Sequence, residues 1–157
     1  MAFDALRHLA QYSQPGAVMD TAYSYVELLG MKTASLPALL REVEKGLPYR
    51  AYERFADALG ATTDDLLKLV GIPRRTLIRR KAEGRFSPVE SDHLLRAARV
   101  FSRAIDLFEG DREAALEWLS EPQPAFGGAI PLDLAATELG AREVEALALR
   151  LEHGVFS

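Results

Sequence analysis

From residue 35 onward, apolar residues recur at spacings of three and four, and short polar or glycine-containing breaks separate the runs. This is the helical period, in which positions i, i+3, i+4 and i+7 share a face. Ser35 is placed to cap a first helix through Leu36, Leu39, Leu40 and Val43, with Gly46 as its stop. Pro48 suits the first turn of a second, whose apolar face is Tyr49, Tyr52, Phe55, Ala56 and Leu59 and whose end is Gly60. Thr62 or Thr63 caps a short third helix, with Asp64 and Asp65 at its positive end and Leu66, Leu67 and Leu69 turned inward. Gly71 closes it. A fourth helix is expected from Pro73 to about Glu83, before Gly84. On its wheel Leu77, Ile78 and Ala82 fall to one side and Arg75, Thr76, Arg79 and Arg80 to the other, with Arg74 and Lys81 flanking the apolar side.

Ser87-Pro88-Val89-Glu90 has the form of a capping box with proline at the first helical position. The helix it opens is expected to reach Glu109, with Leu94, Ala98, Phe101, Ile105 and Phe108 as its apolar stripe. That stripe suits either the centre of a core or a dimer seam. Gly110 ends this helix and Asp111 caps the next, Arg112 to Leu119, which carries Trp118. After the turn-rich EPQPAFGGAIP, Pro131 restarts a helix that Gly140 is expected to stop. A last helix holds Val144, Leu147, Ala148 and Leu151 before Gly154. Residues 1–30 stay open: Pro15-Gly16 interrupts a short face of Phe3, Leu6 and Leu9, and TAYSYVELLG fits a strand, a helix start or an ordered arm. The fold class expected is all-α, with an N-terminal arm over 1–34 and helical domains over 35–105 and 106–157.

Charge changes this picture, because the net −4 is unevenly spread. Residues 1–70 carry 7 Lys/Arg against 9 Asp/Glu, residues 71–103 carry 9 against 3, and residues 104–157 carry 3 against 11. A basic centre followed by an acidic last third points to two different kinds of partner. The basic centre also has a layout. TTDDLLKLVGIPRRTLIRRK reads as a short helix, a turn at Gly71-Ile72 and a second helix with an arginine face, the arrangement of a helix-turn-helix. Arginines on such a face neutralise phosphates and, where geometry allows, bind guanine with both nitrogens. The plainer alternative is a solvated basic face. Arg75, Thr76, Arg79 and Arg80 are the expected DNA readers, and Arg74, Lys81 and Arg85 the expected backbone contacts.

Catalysis finds little support. His8, His93 and His153 are scattered with no metal-ligand spacing, and Gly127-Gly128 lacks a phosphate-loop pattern. Asp64-Asp65 suits helix-dipole complementation better than acid/base work. Without cysteine there are no disulfides, thiolate sites or cysteine nucleophiles. The expectation is a protein that is not an enzyme and uses no cofactor or metal. The N-terminus shows no cationic flank before an apolar run, and no apolar stretch reaches membrane length, so a cytoplasmic location away from the membrane is expected.

Several short motifs together resemble a known family. They are Thr76-Leu77 with Arg79-Arg80, the run Ser87 to Asp92, Trp118-Leu119, Pro122, Gly127-Gly128, Pro131-Leu132 and Gly154-Val155-Phe156. From about Leu36 to its end the chain resembles the Xre/MbcA/ParS antitoxins, which join an Xre-type helix-turn-helix to a toxin-binding domain. One departure is His93, where the family more often has arginine. The resemblance implies a type II antitoxin, dimeric, that binds the operator of its own operon. It also implies a cognate RES-class toxin, related to ADP-ribosyltransferases, that depletes NAD+ and whose active site the antitoxin's C-terminal region covers. Carried onto this chain, residues 35–105 become the DNA-binding domain and 106–157 the toxin-binding domain. The toxin contacts expected are Trp118, Phe126, Gly127, Gly128, Gly154, Val155, Phe156 and Ser157. A stand-alone helix-turn-helix regulator with a C-terminal dimerisation domain is the alternative.

Overall fold

The computed structural model describes residues 24–32 and 35–154, and within them the chain is all-α. Expectations for residues 1–23 and for Val155, Phe156 and Ser157 lie outside the described residues. Among the described residues eight α-helices follow one another: α1 (Leu36–Lys45), α2 (Tyr49–Leu59), α3 (Thr63–Val70), α4 (Arg74–Glu83), α5 (Pro88–Leu107), α6 (Arg112–Ser120), α7 (Pro131–Leu134) and α8 (Glu138–Glu152). Two 3-10 turns, Ser24–Leu29 and Pro124–Phe126, complete the described elements. The first of these resolves part of the stretch left open by sequence, and it buries Val26 and Leu29.

The capping box of α5 forms as its residues require. The Ser87 hydroxyl accepts from Glu90 N at 3.2 Å, and the Glu90 carboxylate accepts from Ser87 N at 3.3 Å. The helix it starts is buried on nearly every side. Leu94, Ala98 and Phe101 face one way, Ala97, Val100 and Ala104 another, and all six have no exposed surface. A helix apolar around its circumference belongs at the centre of a core. Accordingly α5 packs against the first 3-10 turn, α1, α3, α6 and α8. The alanines let these neighbours approach closely, and Phe101 meets Phe55 of α2 edge-on at 6.2 Å. One continuous cluster of buried residues runs from Val26 to Ala148. Both halves of the chain therefore share α5 and a single core.

The loop between α1 and α2 is tied down by polar groups. Ser91 is fully buried; its hydroxyl donates to Ser87 O at 2.8 Å and accepts from Leu47 N at 2.7 Å. Phe86 N donates to Leu47 O and Tyr49 N to Gly84 O, around the isolated bridge between Pro48 and Arg85. Arg85 Nη1 donates to Gly46 O, so this cation braces the loop. Tyr49, Tyr52 and Phe86 form an aromatic cluster with centroids 5.6 to 6.4 Å apart, Tyr49 and Phe86 stacked and the other two pairs tilted.

Several expectations need correction. Leu36 and Leu40 are 44% and 52% exposed, and only Leu39 of α1 is fully buried. On α4, Ile78 and Ala82 face solvent and Leu77 alone is buried. Helix α5 ends at Leu107, because Glu109 and Gly110 both turn to positive φ before the Asp111 cap. The largest correction concerns Gly140. It does not stop a helix; α7 is a single turn, and Gly140 lies in the first turn of α8, where its N–H donates to the Thr137 cap. What selects glycine there is the approach of α7, since a Cβ would sit 1.8 Å from Leu134 O.

Gly140→Ala tests that contact. Helix propensity alone favours alanine by roughly 0.5–1 kcal/mol. The clash is with backbone, which cannot swing aside, and overpacking of this kind costs about 1–3 kcal/mol. The expected result is net destabilisation, read as a lower urea midpoint.

Candidate functional site

The basic segment forms a helix-turn-helix. Helix α3 starts at Thr62, whose hydroxyl accepts from Asp65 N at 3.2 Å. It ends at Gly71, with φ of 69° in the left-handed region that L side chains rarely adopt. Ile72 then plunges into the core at 2% exposure, and Pro73 restarts the chain in extended geometry ahead of α4. The turn is thus three residues, Gly71-Ile72-Pro73, with the middle one as its anchor. Below it, the buried guanidinium of Arg96 donates from Nη2 to Ala136 O at 2.7 Å and so ties α5 to the loop after α7. One turn earlier, burial followed by the charge of Arg96 lowers the His93 pKa, and its Nδ1 lacks a hydrogen-bond partner.

The cations of α4 divide into two groups. Arg80 faces inward: its Nε donates to both Glu90 oxygens, at 2.7 and 2.8 Å, and its Nη1 donates to Glu83 Oε2 at 2.6 Å. Glu90 therefore completes the cap of α5 and clamps α4 with one carboxylate. Burial pushes the Glu90 carboxyl upward, but Arg80 and Ser87 outweigh burial and hold its pKa below the usual 4.5. Thr76 is half-buried on the same side. Arg74 reaches back across the turn to Asp64 Oδ1 at 2.8 Å, with both side chains well exposed. Such a surface pair contributes at most about 1 kcal/mol and yields readily to a competing anion. The remaining cations point outward. Arg75 and Lys81 have no ionic partner among the described residues, and Arg79 has only a long contact of 4.0 Å to Glu83.

The outward surface of α4 is therefore Arg75, Ile78, Arg79 and Ala82, at helical spacings of three, four and seven. The sequence-based wheel placed the arginine face one step round, through Thr76 and Arg80. A signal against that placement was present: at about 100° per residue, Arg80 lies closer to Leu77 than Ile78 does.

The acidic half offers a different surface. Trp118 is 9% exposed and belongs to the core, so little of its ring is open to contact. The loop after α6 is closed by its own bonds: Gln123 N donates to Ala129 O and Gly128 N to Gln123 O, each at 3.0 Å, while Gln123 Nε2 donates to Trp118 O. Phe126 is half-buried at its bend, and Gly127, Gly128 and Gly154 are exposed. In the same half of the chain Glu113, Glu117, Glu121, Asp133, Glu143 and Glu152 face solvent. The Asp106 carboxyl is pushed up by burial and then by the charge of Glu152, partly offset by Arg103. From α5, Arg99 binds Glu138 at 2.9 Å and Glu145 at 2.7 Å, both on α8. Leu139, 75% exposed, and Leu149 stand out on its free side. Among the described residues there is no cluster able to hold a metal ion, and no helix long and apolar enough to cross a membrane.

Comparison with known proteins bears on both surfaces. Residues 38–99 match the model of the antitoxin Xre-like helix-turn-helix domain, and residues 103–154 that of the antitoxin Xre/MbcA/ParS C-terminal toxin-binding domain. The chain is 33% identical over 130 residues to an antitoxin Xre of Photorhabdus laumondii, covering 82% of this chain and 88% of that protein. The chain belongs to the Xre antitoxin family. Another Xre antitoxin, from Yersinia enterocolitica, is 48% identical over 94 residues, which span 59% of this chain and 64% of that protein. A Sphingobium relative named Prs ADP-ribosylating antitoxin is 27% identical over 124 residues, 73% of this chain and 78% of its own. Membership of the Xre family gives the chain a cognate toxin as partner. The boundary between the two matched domains, near residues 99–103, lies inside α5.

The Arg80–Glu90 clamp generates a stability prediction for this Xre-family chain. Glu90 and Glu138 both have lowered pKa values; for Glu138 burial raises it, but Arg99 and Arg142 outweigh burial. Their stabilisation is complete above about pH 4.5, where the unfolded carboxylates are ionised, and is lost as pH falls through the lower folded values. The share of the urea midpoint owed to these carboxylates should hold from pH 7 to 5 and drop below 4.5. The lowered pKa of His93 makes the midpoint itself begin to decline as pH falls through about 6.5. Glu90→Gln should lower it at pH 7 and flatten the acid decline, whereas Arg79→Gln should leave both unchanged.

Proposed function

We propose that this antitoxin neutralises a RES-class, NAD+-depleting toxin by covering its active site, and that it represses its own operon by binding the operator as a homodimer through α4. The observation that carries the reading is the division of charge over one core. Arg75 and Arg79 stand on the outward face of α4, while residues 104–157 carry 3 Lys/Arg against 11 Asp/Glu, with Glu113, Glu117, Glu121, Asp133, Glu143 and Glu152 exposed. Positive charge in a pocket favours the pyrophosphate of a dinucleotide, and an acidic surface complements such a pocket and speeds encounter. The Sphingobium relative supports this class of toxin, since its name specifies ADP-ribosylation, a reaction that consumes NAD+. Phe126, Gly127, Gly128 and Gly154, all within the acidic half, serve as toxin contacts together with Val155, Phe156 and Ser157.

On the DNA side, Arg75 and Arg79 contact the operator directly, Arg74 and Lys81 approach phosphates, and Arg80 acts by holding α4 in place. The alternative of a stand-alone regulator lacks support from the family, whose C-terminal domain is a toxin-binding one.

Two measurements test the proposal. Co-expression with the product of the adjoining gene should restore growth and co-purify the two proteins. A chain shortened after His153 should keep operator binding and lose rescue; continued rescue would remove the terminal residues from the interface. In filter binding to the native promoter, Arg79→Ala should weaken affinity and lower the salt slope by about one. An unchanged slope would take Arg79 off the DNA.

A further inference from the structure

The outward face of α4 is not uniformly basic. Ile78 is 67% exposed at its centre, with Arg75 one turn before it and Arg79 beside it. A single exposed aliphatic is ordinary on a protein surface and by itself carries nothing. Here the setting matters. Burying such a side chain is worth roughly 1.5–3 kcal/mol, and the isolated chain leaves most of that uncollected. The flanking guanidiniums make the face hostile to an apolar protein patch, because burying them unpaired against it would be costly. They suit a polyanion instead. Phosphates and sugars, however, offer an isoleucine no complementary group. Of the groups that base pairs present in the major groove, the apolar one is the 5-methyl of thymine.

We infer that Ile78 reads a thymine 5-methyl group in the operator, between the contacts made by Arg75 and Arg79. The inference rests on α4 being the operator-contacting helix. It adds a base-specific element to a face whose other long side chains are cations, and it makes Ile78 a determinant of which sequence is bound. Ala82, one turn further on and also exposed, is small enough to let the helix approach the bases.

Deoxyuridine substitution isolates the methyl, since it keeps every hydrogen-bonding group of thymine. The native promoter fragment, with its thymines replaced one at a time, is titrated with the full-length protein at constant salt. The wild type should lose about three- to fivefold in affinity at one position per half-site, the worth of one buried methyl group. Ile78→Ala should bind the native fragment correspondingly less well and be indifferent to deoxyuridine at that same position, with its salt slope unchanged. Ile78→Val should keep part of the discrimination. Because Ile78 is exposed, these variants are expected to unfold at the wild-type urea midpoint, which separates recognition from folding. Binding with no sensitive thymine, or equal sensitivity in wild type and Ile78→Ala, overturns the assignment while leaving α4 as the DNA-binding helix. Absence of promoter binding overturns the operator reading and the assignment together.

Discussion

Helix α5 is buried on nearly every side, and that constraint governs the rest of the molecule. With Leu94, Ala97, Ala98, Val100, Phe101 and Ala104 all excluded from solvent, its neighbours must cover every face but the exposed stripe of Asp92, Arg103 and Asp106. The helix-turn-helix covers one part through α3, and α6 and α8 of the toxin-binding half cover others. Neither half presents a complete core of its own, because each uses α5 as a wall. Phe101 illustrates the dependence: truncating such a buried aromatic removes about 3–5 kcal/mol, and the loss would be felt from α2 to α8.

Polar contacts then position the elements that the core alone would leave free to slide. Leu77 anchors α4, and one apolar contact does not fix the rotation of a helix about its own axis. The Arg80–Glu90 pair does, with two near-equal bonds from one nitrogen to both carboxylate oxygens. Since Glu90 is also the N3 residue of the α5 cap, the orientation of α4 is referred to the start of the central helix. Arg96 makes a similar link deeper down, from α5 to the carbonyl of Ala136. These are arginines of the basic segment whose charge is spent inside the molecule.

This division explains which parts of the fold were legible from sequence. Helix starts were, because caps are local: Ser35, Thr62, Ser87 and Asp111 each accept the N–H three residues on. The helix-turn-helix was legible for the same reason, through its glycine, its proline and the short helices on either side. What failed depended on contacts distant in sequence. Gly140 reads as a stop by local rules, yet it is glycine because Leu134 O lies where its Cβ would be. Ile78 reads as inward because it is apolar, and Arg80 as outward because it is charged. A carboxylate ten residues later reverses both. The 100° wheel already set Arg80 nearer Leu77 than Ile78, but it could not reveal the partner, although the capping box had placed Glu90 at the start of the adjoining helix. The acidic surface was legible as a charge excess, but not the burial of Trp118, since a lone tryptophan fits a core and an interface equally well.

The charge division has a consequence for how two partners are served by one small body. Duplex DNA repels an acidic surface over roughly a Debye length, about 8–10 Å at physiological salt. On the proposed function, a chain with +6 over residues 71–103 and −8 over residues 104–157 is therefore oriented in the field of the duplex before contact. Its basic face is drawn in, and its carboxylates are turned away. On the proposed function, that leaves the toxin-binding side open while the operator is occupied. A toxin with a basic active site would in turn be guided to the acidic side and away from Arg75 and Arg79. Because the core is continuous, the two surfaces are held in one geometry by α5, and each partner meets a surface already formed.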